Sequence, residues 1–192
     1  MDYYYEYYDG CNEKREEKEE FIRNLTSILY EEKNKVGFLE LVILCVGTDK
    51  VTGDCLGPLV GTKLKELLSG YNIFNINIYG TLDNNISYIN AKTNLNMIKK
   101  MHPNAYIIVV DAALSKRENI GKIFINQKET VLGRGLNKNK IKVGRLSIKG
   151  VVGENHNISK YNFYSLRNTS LNTVINLANI IAEGIVEVIK YT

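Results

Sequence analysis

Tryptophan is absent from this chain, proline occurs only twice, and the three cysteines (Cys11, Cys45, Cys55) lack metal-ligand spacing. So few cysteines, in an odd number, exclude a disulfide framework and predict reduced thiols in a cytoplasmic protein. No stretch approaches the roughly 18 uninterrupted apolar residues that a membrane span needs, so no membrane partner is expected. Met1 to Gly10 offers tyrosines and acids where a secretory signal would carry a basic and then an apolar region, so no such signal is expected. An excess of one charge is missing too. Lys and Arg number 25 against 21 Asp and Glu, and the resulting +4 does not ask for nucleic acid.

What is present suits one globular domain. The 192 residues are 44% hydrophobic, enough for a core without staples. Residues 1–12, with Tyr3, Tyr4, Tyr5, Tyr7 and Tyr8 crowded together, read as a flexible arm or a cap docked on its own domain, and 13–192 as a single α/β domain. Phe21, Leu25, Ile28 and Leu29 share one face of a helix predicted from Glu13 to about Lys33. Leu39 to Val46 is a nearly continuous apolar run of strand length, as expected of a strand buried on both faces. Helices are further predicted at about Leu56–Leu68, Asn85–Met101 and Ser170–Lys190, and strands at Asn72–Tyr79, Ala105–Val110, Gly121–Asn126 and Arg145–Val152. Strands alternating with helices predict a three-layer α/β sandwich, a mainly parallel sheet with helices on both faces.

In open α/β sheets the functional residues gather beyond the carboxyl ends of the strands. That rule selects the loop from Gly47 to Pro58, the stretch opening at Asp111, and the turn after Tyr79 that holds Asp83. Asp54 and Asp111 are the candidate catalytic pair: two carboxylates held close push their proton affinities apart, so that one can act as base and the other as acid on a water molecule. The same pair could hold a hard cation, and Asp54 alone could serve as a helix N-cap. Thr48, Asp49, Thr52 and Asp83 are the candidate binding and orienting residues around them.

Other chemistries are excluded by residue type. Asp54-Cys55 stands after Gly53 where a P-loop needs Lys-Ser/Thr, and Lys138 occupies the last glycine place of a dinucleotide fingerprint after Gly133-Arg134-Gly135. His102 precedes a predicted strand, at the wrong edge of the sheet, and His156 stands alone in a loop. Cys55 reads as a packing residue because the neighbouring Asp54 opposes a thiolate. Arg134 to Arg145 is basic, but no aromatic interleaves it as single-strand nucleic-acid binding requires, so it reads as a solvated loop.

Val46-Gly47-Thr48-Asp49, Thr52-Gly53-Asp54, Leu56-Gly57-Pro58-Leu59-Val60-Gly61-Thr62-Lys63-Leu64, Tyr79-Gly80-Thr81-Leu82-Asp83, Val110-Asp111-Ala112 and Lys149-Gly150-Val151-Val152 occur here in that order. With these motifs the chain from about Asn24 to Lys190 resembles the YyaC-type sporulation proteins of spore-forming bacteria. That family is similar to a shortened spore germination protease, and both resemble the hydrogenase-maturation protease fold. The resemblance places the first catalytic aspartate of the germination protease on Asp54, with Gly53 standing where that motif has proline, and the second on Asp111. It implies a sporulation-associated peptidase-like protein acting on a protein or peptide of the spore, in the cytoplasm of the forespore or spore core. The alternative is a non-catalytic relative that binds a partner, ligand or cation through the same acids. Oligomeric state stays open. Hydrogenase-maturation enzymes ligate nickel through the two corresponding acids and a histidine. No histidine of this chain matches that third ligand, and neither a metal nor another cofactor is expected.

Overall fold

The computed structural model describes residues 2–5, 13–71, 75–132 and 141–190. Tyr7 and Tyr8 of the tyrosine-rich segment and residues 133–140 of the basic loop lie outside them. Six strands form one sheet in the order β1 (Asp2–Tyr5), β5 (Ile123–Asn126), β8 (Leu146–Glu154), β4 (Tyr106–Ser115), β2 (Leu41–Cys45) and β3 (Ile76–Tyr79). β8, β4, β2 and β3 run parallel, while β5 is antiparallel to both β8 and β1. The sheet is therefore mixed and mostly parallel, as the apolar runs predicted. β2, one strand in from the β3 edge, is buried along its whole length.

Side-chain alternation sorts the core into two layers. On one face Leu41, Ile43, Cys45, Tyr106, Ile108, Val110, Leu146 and Ile148 meet helices α1 (Glu13–Val36), α2 (Leu56–Leu68) and α5 (Leu171–Lys190). On the other, Val42, Leu44 and Val109 meet α3 (Ala91–Met101) and a two-stranded ribbon, β6 (Thr130–Leu132) with β7 (Ile141–Val143). Each fully buried Leu, Ile or Val contributes roughly 1.5–3 kcal/mol, so the central strands anchor the fold. α5 is long and apolar enough to cross a membrane by length and composition. Its stripe Val174, Ala178, Ile181, Ile185 and Val188 is buried against the sheet and its neighbours, which makes it a core helix here.

Several boundaries differ from expectation, each for a local reason. Asp2–Tyr5 pairs with β5 as an edge strand. The helix predicted from Asn85 begins only at Ala91, because Asn90 bonds the Ser87 amide through Oδ1 (2.9 Å) and the Asn85 carbonyl through Nδ2 (3.0 Å). Such side-chain bonds offer the backbone an alternative to helix. The stretch from Arg134 to Arg145 is not loop throughout, since Ile141–Val143 pairs with Thr130–Leu132. β4 does not end at Val110 but runs through Asp111 to Ser115, with an irregularity between Ala113 and Leu114. The short helix α4 (Ser159–Arg167) went unpredicted. It buries no residue fully and so carries little periodic signal.

Candidate active site

β2 leaves the sheet at Val46, whose amide still bonds the Val110 carbonyl at 2.8 Å. The next residue, Gly47, has a φ of +145°, which a side chain rarely tolerates, and a Cβ there would collide with the carbonyl of Asp54. The chain thus doubles back on itself, and the Thr48 amide donates to the Asp54 carbonyl oxygen at 3.1 Å. A 3-10 turn, Gly53–Cys55, then leads straight into α2.

Asp54 and Asp111 come together at this place. Asp54 is partly buried in the turn, and burial pushes its carboxyl up to about 6, partly offset by a hydrogen bond from the Thr48 amide. Asp111, also partly buried, lies one rung beyond the last β2–β4 pair, Cys45 with Val110. Burial pushes its carboxyl up to about 7, and the negative charge of Asp54 pushes in the same direction, while Lys149 and the Ala112 amide act in opposition. Like charges raise a neighbour's proton affinity only at close range, and Asp111 stands within reach of the Asp54 charge. Capping does not occupy Asp54. Cys55 holds the N-cap position of α2, with no side-chain cap bond there.

The remaining predicted residues divide. Thr48 and Asp49 are linked side chain to side chain at 3.4 Å, and Thr48 Oγ1 also takes the Lys50 amide at 3.4 Å. Asp49 Oδ1 accepts from Asn85 Nδ2 at 3.1 Å, which ties the loop to the segment before α3. Thr52 contributes through its backbone, its carbonyl accepting from the Cys55 amide at 3.2 Å. Asp83 is exposed in the turn closed by Thr81 and Asn84, and shares no hydrogen bond or ion pair with Asp54 or Asp111 among the described residues. Cys55 stays a thiol, raised first by burial and then by Asp49 and Asp54.

Two neighbours of the site were not singled out in the sequence. Lys149 stands opposite Asp111 in the β4–β8 register. Its signal was its parity: on β8 it alternates with the core residues Leu146 and Ile148, which places it on the face of Asp111. α4 crosses the turn that carries Asp54. A Cβ on Gly53 would lie 2.9 Å from the Leu166 carbonyl oxygen and 2.8 Å from Thr169 Oγ1, so the close crossing accounts for glycine at this place.

The donor set does not fit the nickel site that the resemblance implies. His102 sits at the opposite edge of the sheet, bonded to Glu40 and Tyr79. His156 is exposed and lies edge-on to the Tyr161 ring, with centroids 6.1 Å apart. Among the described residues no three His, Cys, Asp or Glu side chains converge as a metal site. Lys149, opposite Asp111 in the strand register, adds a positive charge beside that acid, which repels a cation.

Comparison with known proteins bears on the fold and the family. The fold is similar to that of the [NiFe] hydrogenase maturation protease HycI from Thermococcus kodakarensis KOD1, with a TM-score of 0.57 and 19% identity over 85% of this chain and 99% of that one. The uncharacterized protein YyaC of Bacillus subtilis (strain 168) is 37% identical over 164 residues, 85% of this chain and 76% of that protein. The chain belongs to the family described as a protein of unknown function (DUF1256), which matches residues 13–184.

Proposed function

We propose that this protein is an aspartate-dependent peptidase that cleaves a protein or peptide of the spore, in the cytoplasm of the forespore or spore core. The observation that carries the reading is the electrostatic coupling of Asp54 and Asp111, two partly buried acids at the carboxyl edge of a protease-like α/β fold. Coupled acids of this kind lose their protons in two separate steps. Asp111, raised further than Asp54, keeps its proton longer as pH rises, which offers a base and an acid in one site. Asp54 takes a proton from water as the water oxygen attacks the peptide carbonyl, and Asp111 protonates the departing amide nitrogen. Thr48 and Asp49, through the bond to Asn85, hold the loop that carries Asp54.

A second reading is non-catalytic, and α4 favours it. Its aromatic side chains Tyr161, Phe163 and Tyr164 are all more than half exposed, on a helix that touches the Asp54 turn. The two readings part on one experiment, the incubation of the full chain with a spore extract followed by mass spectrometry of the products. Cleavage that disappears in Asp54→Asn and Asp111→Asn variants of native fold supports the peptidase. Intact substrates alongside a partner captured by the wild type and lost in the Asn variants support the binding protein.

A further inference from the structure

Lys149 and Asp111 occupy the same rung of the parallel pair β4–β8, on adjacent strands about 4.8 Å apart. Both lie on the α3-side face, by alternation with Ile107 and Val109. From β8 the ammonium acts on Asp111, from the α2 turn Asp54 acts on it, and the next strand brings Phe124 to the Lys149 rung. Lys149 is partly exposed and, among the described residues, closes no ion pair within 4.0 Å. An ammonium that sits beside an acid pair without being consumed by it keeps its hydrogen-bond donors for an incoming group.

We propose that Lys149 is the fixed cation of this site, the group that balances Asp111 and receives the substrate carbonyl oxygen. The assignment rests on the peptidase reading for its catalytic half. As water attacks, the new carbon–oxygen bond forms and the carbonyl electron pair moves onto oxygen, where the Lys149 ammonium holds it. The pair then returns to re-form the carbonyl as the carbon–nitrogen bond breaks, and the amine leaves with the proton of Asp111. Asp54 is left protonated and Asp111 ionised, and a proton exchange between them restores the pair. Charge stabilisation of this kind works by pre-placed donors and needs no metal ion to supply it.

The test uses the full chain as wild type, Lys149→Met and Lys149→Arg. The Asp111 carboxyl is followed by carbon NMR as a function of pH, its signal assigned by its loss in Asp111→Asn. The Asp111 midpoint is expected to rise by about one pH unit or more in Lys149→Met, since a nearby cation favours the charged carboxylate, and to return toward wild type in Lys149→Arg. An unchanged midpoint in Lys149→Met overturns the assignment. Lys149→Gln replaces the methionine variant should that one fail to fold. On a substrate that the wild type cleaves, Lys149→Met is expected to lower kcat by about 10²-fold with little change in KM, and unchanged kcat overturns the oxyanion role. Without any cleavage by the wild type the peptidase reading fails, while the titration still decides whether Lys149 balances Asp111.

Discussion

His102 Nδ1 lies 2.6 Å from Oε1 of Glu40, and the other ring nitrogen meets the Tyr79 hydroxyl at 2.6 Å. With Asn77 donating to the same Glu40 oxygen at 2.8 Å, one polar clip joins the approach to β2, strand β3 and the C-cap of α3. It sits at the edge of the sheet opposite the acids, so its role is structural. A double-mutant cycle of Glu40→Gln and His102→Ala is expected to give a coupling of about 1–3 kcal/mol by urea denaturation. The acid site should be unaffected, and a shift in the titration of Asp54 or Asp111 would contradict this separation.

The acid pair itself should oppose folding at higher pH. Asp54 and Asp111 have folded-state carboxyls raised to about 6 and about 7, above the ordinary carboxylate value. A raised acid binds more protons folded than unfolded, so stability is greatest below about pH 4 for these groups and is lost as pH rises toward 7. Replacing both with Asn removes that dependence. The double variant is expected to gain on the order of 2 kcal/mol over wild type at pH 8 and little at pH 4, read from denaturant midpoints at each pH.

Gly53 carries the crossing of α4. Gly53→Ala places a methyl against the Leu166 carbonyl and Thr169 Oγ1, at 2.9 and 2.8 Å. A loss of about 1–3 kcal/mol is expected, and local loosening should appear as faster amide exchange in α4 and the Asp54 turn. Full native stability in this variant would mean that α4 does not press on the turn.

Asp49 links its loop to Asn85 at an exposed position, where a single hydrogen bond adds little to global stability. Asp49→Ala is expected to stay within about 0.5 kcal/mol of wild type. If the peptidase reading holds, the same change lowers turnover, because the loop that positions Asp54 loses its anchor. A global collapse in stability would assign Asp49 a framework role instead.

Much of the architecture was legible in one dimension because it depends on patterns that burial imposes. A strand buried on both faces must be apolar throughout, as Leu41–Cys45 is, and a core helix must carry a stripe, as α5 does. The glycine turn at Gly47 and the acid of Asp111, directly after an apolar run, marked the candidate site for a similar reason. Special backbone conformations and buried charges are costly, and the residue types that meet those costs are few.

What the tertiary structure alone decided concerns neighbours distant in the chain. Only the register of β4 and β8 puts Lys149 opposite Asp111, and only the packing of α4 shows why residue 53 lacks a side chain. Asp111 in mid-strand, rather than at a strand end, follows from β8 continuing to pair beside it where β2 has stopped. Local propensity is silent on such matters, since a lysine between glycine-rich neighbours or a weakly amphipathic helix reads alike on any surface. Hydrogen bonds and charges brought together across the sheet gave those residues their chemical surroundings, and those surroundings exist only once the chain has folded.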